Sequence, residues 1–547
     1  MDTPQRKNFL SLLNVKSLLP SLDDYRRVPR TWRKDLLAGV TVGIVALPLA
    51  LAFGVSSGAG AESGLITAII AGVVAAIFGG SNVQVSGPTG AMVVVLGPIV
   101  AKHGVATIAL VSLMAGIIVL AAGFLRLGRT VSYIPWPVIE GFTLGIAVII
   151  FLQQVPSAIG AIVEPGKNSL LAAIDSFSQI SIAEAWMPIL LVAIVVITML
   201  VVPMIHQALP ASLIAVVVAT LVAIFLKFNV TSIGELPSSL PPPHLPHMTW
   251  DLVYALLGPA FAVAALAAIE SLLSARVASS ISETGPYDAD RELVGQGLAS
   301  VASGFFGGMP ATGAIARTAV NIRAGGQTRL SVIVHSVVLL VVVYAASTIV
   351  SVIPLAALAG VLMVTSARMV SAATALTILR STRSDAVIFV MTAVITISFD
   401  LIYAVVIGVA AAGFAALRQL AKTSGVEREA LPLPVIEGDE KIAVYRIDGA
   451  LFFGTADKIL HDLQDTKGIS VVILRMSKLQ MLDATGAQVI TELVRTLEAA
   501  GITVLIKGIQ ASHTRLAEKV GVISSLRHQN HLFSSLDDAI AHARSHA

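Results

Sequence analysis

The chain has 547 residues, of which 56% are hydrophobic and only 13% charged, with a mean hydropathy of +0.86. Soluble domains carry roughly 25% charged residues, so these values describe a protein that crosses a membrane many times. A net charge of +3 is too small to argue for a nucleic-acid partner, and the absence of Cys excludes disulfides, thiolate catalysis and Cys-based metal sites.

The first 35 residues are polar and basic, with no signal-peptide pattern, and read as a cytoplasmic tail (1–35). A membrane crossing needs about 20 apolar residues. Apolar segments follow at 36–57, 62–80, 83–100, 105–125, 134–155, 184–203, 210–228, 252–276, 291–307, 310–322, 328–351, 354–370, 384–399 and 401–420, fourteen in all. Seventeen Lys and Arg fall on the side of the N-terminal tail, among them Arg26, Arg126, Arg291, Arg323 and Arg329, against three (Lys102, Lys167, Lys227) on the other. Positive charge is retained inside. Both termini are therefore expected in the cytoplasm of a multi-pass protein of the cell (inner) membrane. The loop 235–248, "ELPSSLPPPHLPHM", reads as an extended extracellular connection.

The third and tenth segments are interrupted. "VSGPTGAMV" (85–93) and "GMPATGAIARTA" (308–319) both carry Thr-Gly-Ala just after a proline. Each is expected to enter as an extended stretch and then become a half-helix. The ten residues from Gly313 to Arg323 span about 15 Å, half of a roughly 30 Å hydrocarbon core. With the two segments running in opposite directions, their half-helix N-termini would meet near the midplane. That is the inverted-repeat transporter layout, and exposed N–H groups there make an anion site. The competing reading is that Gly and Pro are simply common in membrane helices.

Glu270 lies inside the apolar eighth segment, "AFAVAALAAIESLLSARVASS", with Ser274 four residues on along the same face. An intramembrane carboxylate reads as functional, here as an ion-coupling group, or else as half of a salt bridge locking two helices. Arg317, one turn into the second half-helix, either adds positive charge to the anion site, pairs with Glu270, or snorkels to the cytoplasmic surface.

After Leu420 the composition changes. Residues 421–440 read as a polar linker, and 441–547 as a cytoplasmic α/β domain. Strands are expected at "KIAVYRI", "GALFFG", "ISVVILRM" and "ITVLIKGI", and helices at "TADKILHDLQ", "ATGAQVITELVRTLEAA" and "ASHTRLAEKV". No nucleophile elbow, phosphate loop or His/Cys metal cluster is read from the chain. His103, His206, His244, His247 and His335 have no ligand spacing, so no enzyme and no metal site is expected.

Together, "VALPLALAFG", "VSGPTGAM", "AAIESLLSARVA" and "PATGAIARTAVNIRAG" resemble the sulfate permease (SulP) family, which includes the animal solute carrier family twenty-six. The C-terminal region resembles a STAS domain. The resemblance implies seven plus seven inverted segments, a core and a gate subdomain, elevator-type alternating access and a homodimer. It implies an anion pocket formed by Phe53, Pro88, Thr89, Gly90, Gly313, Ala314 and Arg317, with Glu270 as the acidic residue of segment eight; Thr312 of the repeated motif is read into the same pocket, and Ser274 beside Glu270 at the ion-coupling position. Leu49 replaces the Gln of many sulfate carriers. Sodium-coupled bicarbonate members use an Asp in segment eight and a Thr in segment ten; here those positions are Glu270 and Ile315, one oxygen ligand fewer. H+ is therefore the expected coupling ion, with Na+ the alternative and no other cofactor. The implied substrate is a small inorganic or carboxylate anion, sulfate by default, with bicarbonate or a C4-dicarboxylate as the alternative, or an anion channel or exchanger. In "DATGAQV" the serine phosphorylated in anti-sigma factor antagonists is replaced by Ala484, which leaves Thr485 as a weak candidate.

Overall fold

The computed structural model describes residues 15–129, 134–161, 169–178, 182–206, 209–236, 239–398, 401–434, 436–455 and 467–547. Lys167, Arg6 and Lys7, and most of the helix expected at "TADKILHDLQ", lie outside them. The chain divides into two units, 1–409 and 410–547.

The first unit is helical. Its helices are α1 (Val28–Ser56), α2 (Ala61–Phe78), α3 (Gly90–His103), α4 (Thr107–Phe124), α5 (Trp136–Ile159), α6 (Ser169–Ser178), α7 (Ile182–Ile205), α8 (Ala211–Phe225), α9 (Trp250–Ile281), α10 (Ala289–Phe305), α11 (Ile315–Arg323), α12 (Arg329–Ser351), α13 (Leu355–Met369), α14 (Ala372–Arg380) and α15 (Arg383–Ser398); α16 (Leu401–Thr423) runs on across the division. Each of the fourteen expected segments corresponds to a helix, and the short α6 and α14 are additional. Eight helices among the described residues are long and apolar enough to cross a bilayer.

The packing repeats itself. α4 lies against α9 and α10, as α12 lies against α1 and α2. Thr89 and Thr312 are 223 residues apart. The same shift carries α1 onto α9, α2 onto α10 and α4 onto α12, to within about five residues at every end. One group of helices comprises α1–α4 and α9–α12. A second is built on α5, α7, α8, α13 and α15, packed mainly on one another. In the α4–α10 seam a Cβ added at Gly116 or Gly297 would come within 2.8 Å of the opposite backbone. Small residues let these helices approach closely where lipid supplies no hydrophobic drive.

Two arginines read as loop charges are not at the surface. Arg291 and Arg329 are only 8% and 1% exposed. Arg291 makes a two-pronged pair with Asp24 at 3.1 and 2.6 Å, and Arg329 donates to the Ala76 carbonyl at 2.8 Å. They anchor the N-terminal segment to the helices, a role that charge counting does not separate from topology.

The second unit carries a six-stranded sheet of order β3-β4-β5-β7-β8, with β6 beside β4. The strands are β3 (Gly425–Glu429), β4 (Ile442–Leu451), β5 (Val471–Arg475), β6 (Leu479–Leu482), β7 (Thr503–Lys507) and β8 (Leu532–Phe533). Helices α17 (Ala484–Ala499), α18 (Ala511–Val520) and α19 (Leu536–Arg544) accompany them. Val472 and Leu474 point into one apolar cluster and Val471 and Ile473 into another, so both faces of the sheet are covered. The two strands expected at "KIAVYRI" and "GALFFG" are one strand, β4, with a register shift at Gly449. The stretch read as a linker contains β3, an antiparallel edge strand on β4. The charges of "VERE" concealed it; Glu427 and Glu429 pair with Arg446 and Arg475 of β4 and β5.

Candidate functional site

Just before α3 and α11 the chain is extended. Ser86–Gly87 (β1) and Thr312–Gly313 (β2) form an antiparallel pair, Ser86 opposite Gly313 and Gly87 opposite Thr312. Two residues of ladder therefore bring the starts of both short helices to one place, from chains running in opposite directions. α3 has 14 residues and α11 has 9, about 21 and 14 Å long at 1.5 Å per residue.

The first N–H groups of any helix lack intrahelical acceptors. A threonine at the N-cap ordinarily accepts from one of them. Thr89 holds that position on α3 yet makes no side-chain cap; Ala314, at the N-cap of α11, has no side chain that could. The Thr89 hydroxyl instead donates to Glu270 Oε2 at 2.7 Å, and the Thr312 hydroxyl lies 2.8 Å from the same oxygen and 3.1 Å from Thr89 Oγ1. The structure thus unites Thr89, Thr312 and Glu270, drawn from α3, β2 and α9, and leaves both helix starts uncapped.

Arg317 does not reach the surface; it is 2% exposed. Its Nη2 donates to the Pro88 carbonyl, while Nη1 is buried with no hydrogen-bond partner. A Cβ on Gly87 would come within 2.8 Å of that Nη1, so glycine makes room for the guanidinium. Neither the snorkelling reading nor a direct pair with Glu270 describes this arginine: its recorded contact is a backbone carbonyl at the start of α3. Gly90 faces the Ile150 side chain, and the Phe53 ring is 3.5 Å from where a Cβ on Gly90 would sit. Gly313 donates its N–H to Ser271 Oγ at 3.0 Å, and Ala314 N–H donates to the Val85 carbonyl at 2.8 Å. Ser274 is fully buried and contacts Thr318 Oγ1 at 3.5 Å rather than the Glu270 carboxylate. Ile315, in place of an oxygen ligand, is 41% exposed.

Sequence reasoning missed the residues that hold this arrangement in place. Glu292 on α10 accepts four hydrogen bonds: from Gln84 (2.8 Å) and Gln296 (2.9 Å) on Oε1, and from the Gly80 and Ser81 N–H groups (2.8 and 3.0 Å) on Oε2. Gln296 also reaches Ser86 Oγ at 2.6 Å, which ties β1 to α10. Asn321 donates to the Val83 carbonyl at 2.8 Å, and Thr318 accepts from Val85 N–H at 3.0 Å. The available signal was the polar spacing Glu292, Gln296, Ser300 and Ser303 along one side of α10, every one buried. In the second unit, one ring nitrogen each from His531, His542 and His546 lie within 4.8 Å of one another. The pair His542 and His546 is four residues apart in sequence, but the third histidine comes from a separate turn, so the group is legible only in the fold.

Chemically, the site offers an uncapped turn of N–H groups from each of two helices, a buried guanidinium, and a carboxylate held by two hydroxyls. Helix N-termini and a cation favour an anion.

Comparison with known proteins agrees with this architecture. The model of the sulfate permease family matches residues 32–392, and that of the STAS domain matches residues 434–539. The chain is 34% identical over 516 residues to the putative sulfate transporter YvdB of Bacillus subtilis, covering 93% of this chain and 97% of that one. It is 31% identical over 525 residues to the bicarbonate transporter BicA of Synechocystis, covering 92% of each. Among solved structures, SLC26A9 superposes with a TM-score of 0.84 at 19% identity, over 97% of this chain and 94% of that chain. The transmembrane domain of a cyanobacterial BicA gives a TM-score of 0.62 at 35% identity, over 69% of this chain and 97% of that one. The chain belongs to the sulfate permease family, a family of multi-pass membrane transporters, and ends in a STAS domain.

Proposed function

We propose that this protein is a secondary active transporter of a small anion, with sulfate as the first substrate to test and bicarbonate or a C4-dicarboxylate as the alternatives. The observation that carries the reading is the junction itself: two uncapped helix starts beside a buried arginine whose Nη1 has no protein partner. The relatives named above are called sulfate and bicarbonate transporters. Glu270 is the proposed coupling group, binding a proton on one side and releasing it on the other. The site sits in the group α1–α4 and α9–α12, and motion of that group against the other would give elevator-type alternating access in a homodimer with both termini cytoplasmic.

A specific observation favours a second coupling ion. Glu270 Oε2, Thr89 Oγ1 and Thr312 Oγ1 lie within 3.1 Å of one another, three hard oxygen donors of the kind that small cations take. Sodium is therefore the competing reading, although Ile315 supplies no fourth ligand.

The test is uptake into liposomes by the purified full-length protein, with labelled sulfate, bicarbonate and fumarate, under separate proton and sodium gradients at fixed membrane potential. Saturable accumulation that follows the pH difference supports the proton reading. Accumulation that follows sodium and ignores pH overturns it, and a large unsaturated conductance overturns the carrier reading.

A further inference from the structure

The STAS domain holds a histidine cluster that plays no part in the membrane site. His531 ends a short 3-10 turn, Gln529–His531, and leads into β8. His542 lies in the last turn of α19, and His546 follows four residues later, just past its end. The chain thus brings two places together, the entry to the sheet's edge strand and the helix that covers one face of the sheet.

Three observations point to a ligand. One ring nitrogen from each histidine falls within 4.8 Å of the other two. His542 Nε2 and His546 Nε2 are 3.3 Å apart. Four ligands at a zinc–nitrogen distance of 2.0–2.1 Å in a tetrahedron are separated by about 3.3–3.4 Å, so this pair already has the edge length of such a site. Finally, His531 is 2% exposed and its Nδ1 is buried with no hydrogen-bond partner. A buried polar nitrogen left without a partner costs free energy, and coordination or a tightened hydrogen bond would recover it.

We propose that His531, His542 and His546 form a binding site for a borderline transition-metal ion of the zinc class, with the fourth position open to water or an external ligand. The spacing H-x3-H within one helical turn, with a third histidine from a distant element, suits zinc and its neighbours rather than magnesium or calcium, which prefer oxygen. To match that edge length, the widest of the three nitrogen separations need close by no more than about 1.4 Å. The ion would staple α19 to the turn before β8, so occupancy should be felt as stability of the STAS domain.

The experiment is calorimetric titration of ZnCl2 into the full-length protein in detergent, purified without a polyhistidine tag, alongside His542→Ala/His546→Ala and the milder His546→Gln. Wild type should bind one equivalent. The double variant should bind at least tenfold more weakly, and the unfolding temperature of wild type should rise with zinc while that of the double variant does not. His546→Gln lies on the exposed side, so it keeps the fold and should still weaken binding. Equal affinity in wild type and variants, or no binding by wild type at tenths of a millimolar zinc, overturns the proposal.

Discussion

Two carboxylates inside the same helical group have opposite surroundings. Glu292 is 1% exposed and both its oxygens are occupied, by two glutamines and two backbone N–H groups. Glu270 has both its hydrogen bonds on one oxygen, and both come from hydroxyls, which can turn and can donate or accept. The first environment fixes a charge in place; the second leaves a charge able to change. A carboxylate surrounded by committed donors is part of the frame. One surrounded by rotatable hydroxyls, beside an arginine with an unmet donor, is placed to exchange a proton or an ion.

Removing Glu292 should therefore break the fold, whereas altering Glu270 should break only coupling. Glu292→Ala strands the side chains of Gln84 and Gln296 and the N–H groups of Gly80 and Ser81. At about 1–3 kcal/mol for each unsatisfied group, the loss exceeds about 3 kcal/mol and should appear as aggregation or a collapsed yield in size-exclusion chromatography. A monodisperse, stable Glu292→Ala protein would erase the contrast.

A smaller effect is expected at Arg317. Arg317→Ala should weaken anion binding more than tenfold, or about 1.4 kcal/mol and above, with folding intact, as read by equilibrium binding of labelled sulfate. Unchanged affinity would leave the helix starts as the only anion-holding groups.

Glu270→Gln keeps the shape and hydrogen-bonding capacity of the protonated acid. Anion binding and anion-for-anion exchange should survive, while uptake driven by a pH difference alone should vanish. If the mutant still accumulates anion when only pH differs across the bilayer, Glu270 is not the coupling residue.

The smallest effect lies in the STAS domain, where Asp439, buried beneath a partly exposed arginine, offers a third environment. Hydrogen bonds from Arg544 to Asp439, both at 2.8 Å, hold its carboxyl below the ordinary range. A depressed folded-state value contributes stability that is present above the unfolded value, about 3.9, and is lost as pH falls through the folded one. The difference in unfolding temperature between wild type and Arg544→Ala should be measurable at pH 7 and shrink below about pH 4. A difference that grows on acidification would reverse the sign.

What could be read from the sequence follows the range of the interaction. The interruptions at Thr89–Gly90 and Thr312–Gly313, the lone carboxylate at 270 and the helical spans are local patterns of composition and periodicity, and the structure has each of them. The repeated Thr-Gly-Ala suggested that the two breaks meet; the Ser86–Gly313 ladder shows the pairing that achieves it. By contrast, the Glu292 network joins residues more than 200 positions apart, and nothing in "DRELVGQG" names Gln84 as its partner. Arg317 was recognised, but its carbonyl acceptor at Pro88 depends on the fold. Strand β3 was hidden because its two glutamates are paired with arginines on β4 and β5, so its polarity looked like that of a linker.

The two-residue ladder between β1 and β2 has one more consequence. It joins arms that share a proline, a threonine and an uncapped helix, although β1 precedes its proline and β2 begins at its threonine. Applying the 223-residue offset of the two threonines, the position matching Arg317 on the other arm is Val94, buried and uncharged. An anion lodged at the junction would thus feel the same peptide dipoles from both arms but a full cation from only one. The charge of the clasp is therefore one-sided, set by a single side chain on one of two arms that otherwise offer the same kind of group.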